Sequence, residues 1–445
     1  MRRLVAAAMI LAACGAGVAD AFRPEDPLAQ RQWYLDADRA FAAWAERPVL
    51  RPVRVAVIDS GIDIGHPEFA GRVAAARSFV GGSVSDTQGH GTFIAGEIAA
   101  AAGNGQGIAG IAFPAQLVVA KIVRRDGTIE PADEARAIRW ALAQGARVIN
   151  LSIGGLRDPF DGEIDAFSAE ERDAVQAAVR AGALVVASVG NGDDAPRRPW
   201  RFASYPAALP HVLGVAAYAR DGSVPVFSNR DPRFVDLAAP GMEIVSTIPR
   251  ALSTSGCADR GYSDCGSTEF RNAQGTSFAS PQAAAAAALL FAVRPTLRAE
   301  QVSAILERAA ADAAAAGRDD ATGWGWLNVE AAIESLARPL PPLDRFEPND
   351  AVGPRAAPLP AANVTAALDY WDDQEDVYRV RLGAGETIAA TVAGLRGAAL
   401  SLWQPERRLV RPGRRVVYRA ADAGSYYLKV FLRSPGAGAY RLRVR

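Results

Sequence analysis

Short apolar runs recur through the first three quarters of the chain: residues 53–59 (VRVAVID), 116–123 (QLVVAKIV), 147–153 (RVINLSI) and 183–189 (ALVVASV). Runs this rich in Val and Ile, with little polar alternation, suit strands buried on both faces. Between them lie helix start and stop signals. Ser168 followed by Glu171 reads as a capping box, and Gly182 stands where that helix must end. Pro131 opens another helix and Gly145 closes it. Strands alternating with helices predict an α/β fold with a doubly wound, mostly parallel sheet covered on both sides.

The pattern changes after Ala337. Residues 338–343 (RPLPPL) read as a stiff linker. Beyond it come short alternating segments at 377–382, 387–392, 416–419, 426–432 and 440–444, separated by glycine turns. They predict a small all-β sandwich domain over 344–445, after an α/β domain over 22–337. The Ala-rich stretch 283–291 is apolar but short, and a buried helix explains it better than a membrane span.

Composition adds bounds. A chain of 445 residues, 50% hydrophobic and 22% charged, suits two or three domains with a large core rather than disorder. Lys plus Arg equals Asp plus Glu at 49 each, so net charge gives no case for nucleic acid or for an anionic membrane. Arg2 and Arg3 precede the apolar residues 4–13, as in an export signal. Ala19-Asp20-Ala21 fits cleavage that leaves residues 1–21 as the signal; Leu11-Ala12-Ala13-Cys14 resembles a lipobox that would lipidate Cys14. Either reading places the protein outside the cytoplasm, with membrane attachment expected only through Cys14. Cys257 and Cys265 lie in a Gly-, Ser- and Asp-rich segment with no histidine near, which favours a local disulfide over a metal site.

Open parallel sheets carry their sites at the carboxyl ends of the strands. There the sequence places Asp59, then Ser152 and Gly154, then Asn191 in Val189-Gly190-Asn191-Gly192. Of three histidines, His90 opens a helical run in Gly89-His90-Gly91-Thr92. Ser277 opens another in Gly275-Thr276-Ser277-Phe278-Ala279-Ser280-Pro281. A serine needs an imidazole to activate it, and the imidazole needs a carboxylate to fix its tautomer. Asp59, His90 and Ser277 supply these parts, and Asn191 supplies an amide donor for an oxyanion.

The segments VAVIDSGID, GHGTFIAG, LSIGG, SVGNG and GTSFASP resemble the signature blocks of the subtilisin-like serine peptidases, in the same order. The resemblance covers residues 33–337 and implies a fold of subtilisin type. It implies a secreted serine endopeptidase that cleaves polypeptides through an acyl-enzyme, as a monomer, with no cofactor for the chemistry. Ser152, Ile153 and Gly154 would pair with the substrate backbone, and Gly190 would form the facing wall of the specificity pocket. The charges of the loop 192–204 do not decide a preference. Glu68 and Asn104 stand where the family commonly holds a structural calcium; an ordinary Gly-rich turn at 103–107 is the competing reading.

His66 and His211 match structural positions. Phe278 departs from the family's usual methionine, and the segment 250–274 is longer than usual and should border the cleft. Residues 26–33 resemble a mature enzyme's start, so no folding propeptide is expected. Glu347-Pro348-Asn349-Asp350, Asp376-Val377-Tyr378 and Gly424-Ser425-Tyr426-Tyr427 resemble the bacterial pre-peptidase C-terminal domain. Two other functions compete: a catalytically silent surface protein that binds polymer, and an esterase.

Overall fold

The computed structural model describes residues 21–252, 270–313, 317–340, 346–347, 349, 352–353, 356–369, 373, 375–404, 407–434 and 436–445. The signal region with Cys14, and the proposed Cys257–Cys265 disulfide, lie outside the described residues.

Seven parallel strands form the central sheet: β1 (Arg54–Asp59), β2 (Val73–Ser78), β3 (Gln116–Lys121), β4 (Val148–Leu151), β5 (Leu184–Ser188), β6 (Val212–Tyr218) and β7 (Leu237–Pro240). Their order is β2-β3-β1-β4-β5-β6-β7. A hairpin of β8 (Ile244–Thr247) and β9 (Phe270–Ala273) follows. The helices are α1 (Trp33–Ala37), α2 (His90–Ala99), α3 (Pro131–Ala143), α4 (Ala169–Arg180), α5 (Ser280–Val293), α6 (Ala299–Ala309) and α7 (Val329–Ser335).

The four apolar runs are all strands, as their burial on both faces requires. Three end earlier than their apolar pattern does. β4, for example, stops at Leu151, because Ser152 leaves the ladder to bind another segment. Three strands gave no clear signal. β2 (VAAARS) is built of alanine, β6 is interrupted by Gly214, and β7 is four residues ending at Pro240. The chain leaves β1 for β2 and β3 on one side, then crosses to β4 on the other. That reversal opens a crevice outside the carboxyl ends of β1 and β4.

Helix α5 is buried along all but its last residue, Val293. The stretch Thr276–Val293 is long and apolar enough to cross a membrane, but 89% of it is buried inside the domain. Its alanines let it pass close to β4, β5 and α2. Helix α4 ends as the sequence indicates: Gly182 adopts φ 79°, a left-handed turn that glycine takes without strain.

The C-terminal region is an all-β sandwich. One sheet has the order β10-β12-β17-β14-β15 and the other β11-β18-β13-β16. The strands are β10 (Ala357–Pro358), β11 (Asn363–Asp369), β12 (Glu375–Leu382), β13 (Thr387–Ala393), β14 (Ala398–Gln404), β15 (Arg407–Gly413), β16 (Arg415–Arg419), β17 (Gly424–Leu432) and β18 (Ala437–Val444). All neighbours are antiparallel except β10 with β12. Tyr378, Leu400, Leu428 and Leu442 are among the residues filling the space between the sheets. The buried Tyr440 hydroxyl donates to Asp376 Oδ2 (2.5 Å) and pairs with Tyr378 (2.7 Å).

The capping box at α4 is half made. The Ser168 hydroxyl accepts from Glu171 N–H at 3.2 Å, but the Glu171 carboxyl turns inward to Glu134 on α3. Burial pushes the Glu171 carboxyl up to about 7, and Glu134 is also raised well above its ordinary value, by burial and then by the charge of Glu171. Two buried carboxyls in contact hold one proton between them. An acid raised in the folded state favours folding at low pH and loses that advantage as pH climbs. Stability should therefore fall between about 4.5 and 7. Thermal melts of Glu171→Gln are expected to show a shallower decline, since the repulsion between the two carboxylates is gone while Glu134 stays buried, and to raise the midpoint at pH 8 by roughly 2–4 °C for each kcal/mol recovered. A variant whose pH dependence matches wild type overturns the shared proton.

Candidate active site

Asp59 closes β1 and is 1% exposed, so its carboxylate must be hydrogen-bonded. Its Oδ1 accepts from Ser60 N–H (2.6 Å), and His90 Nδ1 lies 2.9 Å from both of its oxygens. A carboxylate only accepts, so Nδ1 carries the hydrogen and Nε2 is left as a base. The His90 side chain is 30% exposed, which leaves the ring open to the crevice. Burial lowers the imidazole, but the Asp59 charge, the Asp59 hydrogen bond and the Asp86 charge outweigh it and hold it above its ordinary value.

His90 is placed by a second carboxylate that sequence reasoning missed. Buried Asp86 accepts from the Ser60 hydroxyl (2.9 Å), Gln88 N–H (3.0 Å), Gly89 N–H (2.8 Å), Thr92 N–H (2.9 Å) and the Thr92 hydroxyl (2.7 Å). It ties the end of β1 to the first turn of α2. Gly91 completes the approach: a Cβ there would stand 2.3 Å from the Gly61 carbonyl oxygen and 3.2 Å from Asp59 Cβ.

Ser277 lies in the single turn Thr276–Phe278 just ahead of α5. A chain of hydrogen bonds fixes this turn against β4. Ser280 Oγ donates to Asn150 Oδ1 (2.8 Å), Asn150 Nδ2 to Ser152 Oγ (2.9 Å), and Ser152 Oγ to the Ser277 carbonyl (2.7 Å). The Ser277 hydroxyl makes no hydrogen bond among the described residues, so the link from His90 to Ser277 is not closed in this state. Phe278 lies against both the His90 ring (5.4 Å between centroids) and Phe93 (4.6 Å). The aromatic substitution therefore packs beside the imidazole.

Asn191 is pinned by Thr276. Its Oδ1 accepts from Thr276 N–H and the Thr276 hydroxyl, each at 2.9 Å, and that hydroxyl accepts from Gly190 N–H at 3.2 Å. With Oδ1 committed to two donors, Nδ2 is left to point elsewhere; it stands 3.4 Å from where a Cβ on Gly275 would be. No simple pattern foretells Thr276 or Asn150, since their partners come from distant segments.

Two cavities meet at Ile153. One of about 180 Å³ is lined by Ile153, Gly154, Gly190, Asn191 and Ser277, with Asp193 and Asp194 on its wall. The other, of about 510 Å³, runs past Asp59, His90, Ser152 and Phe278. The structure also sorts the charges of the loop 192–204. Arg198 donates to Asp193 Oδ1 (2.5 Å) and to the Gly192 carbonyl (2.9 Å), while Arg201 lies over Phe160 and Phe202.

Glu68 and Asn104 are together, joined by Asp26. Asn104 Nδ2 donates to Glu68 Oε2 (3.2 Å), Ile108 N–H to Glu68 Oε1 (3.1 Å), and Asp26 accepts from Gly103 N–H (2.6 Å) and Asn104 N–H (3.0 Å). Burial above all raises Glu68 to about 7. Asn104 Oδ1 turns away to accept from Gln106 N–H (2.7 Å), so the amide presents its nitrogen to Glu68 where a cation shared by the two would need oxygen. As arranged, these residues do not fit calcium. A second acidic group does: Glu347, Asp373 and Asp376 bring carboxylate oxygens within 4.8 Å of one another. Asn349, fully buried beside them, has neither amide atom hydrogen-bonded. His211 also gains a partner here, with Nε2 3.2 Å from Glu347 Oε2.

A profile of the subtilase family matches residues 51–325. The chain is 32% identical to subtilisin DY of Bacillus licheniformis over 284 residues, 63% of this chain and 91% of that protein. It is 33% identical to the major intracellular serine protease of Bacillus subtilis (strain 168) over 254 residues, 56% of this chain and 70% of that protein. A lanthipeptide protease shares the fold at a TM-score of 0.58 and 22% identity, over 71% of this chain and 99% of that one. A protease from Pseudoalteromonas arctica PAMC 21717 does so at 0.56 and 24%, over 70% and 99%. Fold and likeness together define a serine-type peptidase, a hydrolase that needs no cofactor for its chemistry. The chain belongs to the subtilase family.

The pinning of Asn191 yields a test. Thr276→Val keeps the shape but removes the hydroxyl and leaves the Gly190 N–H without its acceptor. Peptide hydrolysis is expected to lose roughly tenfold in kcat, about 1.4 kcal/mol, with KM little changed. Thr276→Ser should retain most activity. Equal kcat for Thr276→Val and wild type overturns the pinning role.

Proposed function

We propose that this chain is an exported serine endopeptidase in which Ser277 is the nucleophile, His90 its general base and Asp59 the group that orients His90. The observation that carries this reading is the pair of 2.9 Å contacts from His90 Nδ1 to both Asp59 oxygens, with the His90 ring against Phe278, the residue after Ser277. Ser277 attacks the scissile carbonyl as its proton passes to His90 Nε2. The oxyanion takes a hydrogen bond from Asn191 Nδ2, His90 returns the proton to the leaving amine, and water hydrolyses the acyl-enzyme. Residues 152–154 pair with the substrate backbone, and Gly190 forms the opposite wall of the pocket. The peptidase unit spans 22–337, with a linker at 338–343 and a pre-peptidase C-terminal-like sandwich at 344–445. Two relatives named for an extracellular and a cell wall-associated place, the minor extracellular protease Epr and the cell wall-associated protease of Bacillus subtilis (strain 168), support export.

Labelling by a fluorophosphonate, lost in Ser277→Ala and His90→Ala, tests the nucleophile and separates an enzyme from a silent binding protein. Hydrolysis of a peptide amide as well as an ester separates a peptidase from an esterase. Asn191→Leu is expected to fold normally and to lose on the order of 10²–10³ in kcat; unchanged turnover overturns the oxyanion role. Only neutral His90 accepts the serine proton, and its partners raise it above 6.5. Activity should therefore fall as pH drops through a midpoint above that value, and Asp86→Asn should move the midpoint down. A profile flat down to pH 5 counts against His90 as base.

The acidic group of the sandwich is proposed to hold a structural calcium, ligated by Glu347, Asp373, Asp376 and Asn349. Their oxygens lie within 4.8 Å of one another and the Asn349 amide beside them is not hydrogen-bonded; such hard oxygen donors suit that ion. Chelation should lower the melting temperature and added calcium should restore it. Asp373→Asn should abolish the response; a melt indifferent to chelator overturns the site.

A further inference from the structure

The sandwich carries its charge unevenly. From Val377 to Arg445 there are fourteen Arg and Lys residues and three acidic ones, Glu386, Glu406 and Asp422. The zero net charge of the whole chain conceals this. Pairing register then gathers arginines on one face of the sheet β11-β18-β13-β16. Thr391 of β13 lies opposite Arg415 of β16 on one side and Arg443 of β18 on the other. Ala393 lies opposite Arg441, and Thr387 opposite Arg419. On β13, β16 and β18 the alternate residues Ile388, Ala390, Val392, Val416, Tyr440 and Leu442 are buried, so these arginines share the outer face. All four are exposed.

The face is single-signed. No acidic residue occupies an outward position of β13, β16 or β18, and no carboxylate pairs with the four arginines among the described residues. Strand spacing sets Arg415 and Arg443 roughly 10 Å apart across the sheet, and Arg441 and Arg443 about 7 Å apart along one strand. Small polar residues stand between them: Thr387 and Thr391 on β13, with Asn363 and Thr365 on β11. A shallow groove of about 390 Å³ follows the β11–β18 edge, lined by Asn363, Thr365, Arg441 and Arg443 among others.

We propose that this face binds an acidic polysaccharide, independently of the peptidase reading. Arginine forks suit carboxylate or sulfate groups, and threonine and asparagine between them suit sugar hydroxyls. The outward positions hold no aromatic ring on which bases could stack, which disfavours single-stranded nucleic acid. They hold one large exposed apolar side chain among the described residues, Val417, beside the small Ala393 and Ala439, which disfavours insertion into a bilayer. Charge complementarity selects the partner, and a sheet face offers the straight track that an extended chain needs.

The test uses the full-length protein and measures its binding to polygalacturonate, dextran sulfate and neutral dextran, with phosphatidylglycerol vesicles and an oligo-thymidylate as competing partners. Binding to the two acidic polymers and not to neutral dextran, weakening as salt rises, is expected. Arg415→Ser with Arg443→Ser should weaken it about tenfold or more through two lost charge-assisted contacts. Thr391→Glu, which sets a negative charge between them, should do the same. Arg407→Ser with Arg408→Ser, on the edge strand of the other sheet, should leave it unchanged, and every variant should keep wild-type hydrolysis of a small peptide. Failure of the wild-type protein to bind, equal losses from both double variants, or tighter binding to vesicles or oligonucleotide would overturn the proposal. Loss of peptidase activity alone would not touch it.

Discussion

Two buried carboxylates organise the peptidase site, and among the described residues neither pairs with a lysine or arginine. Asp59 and Asp86 are satisfied by N–H and O–H donors, apart from the imidazole that one of them orients. A buried charge left short of donors is costly, so these contacts must be met together. Meeting them fixes the end of β1 against the start of α2. The same requirement explains Ser60, whose hydroxyl donates to Asp86 and accepts from Gly91 N–H at 2.8 Å. It also explains why a bare glycine follows the histidine, since α2 must pass within contact of Gly61.

Much of this was legible in the sequence. The four apolar runs locate the strands that carry the site; Asp59 falls at the end of the first, while His90 opens α2 and Ser277 lies in the turn ahead of α5. The parts that escaped are those whose meaning is tertiary. Asp86 looks like any loop aspartate until five donors from three short segments close on it. Thr276 looks like part of a helix start, yet it orients an amide 85 residues away. The alanine strand β2 and the four-residue β7 have no pattern of their own and are strands because neighbours supply their ladders. Glu68 and Asn104 are together as the family resemblance implies, but through a hydrogen bond that turns the Asn104 amide nitrogen, not its oxygen, toward Glu68.

Charge was the property least readable from totals. A net charge of zero excluded polyanions only on the assumption that charges are mixed. In the fold they segregate: buried acids cluster where Glu347 meets Asp373 and Asp376, while arginines line an outer face of the same domain. At the substrate cleft, the loop 192–204 has both signs in sequence, yet it is aspartates that reach the cavity wall.

The relay from Ser280 through Asn150 and Ser152 to the Ser277 carbonyl makes the end of β4 and the Ser277 turn one mechanical part. Grafting a different relative's strand end onto this scaffold, to change what it cuts, would also replace a link that positions the proposed nucleophile. Recombination between relatives should therefore succeed when crossover points keep residues 150–152 and 276–280 from the same parent. Where they come from different parents, the offspring should fold yet work poorly, a form of incompatibility invisible to any single substitution.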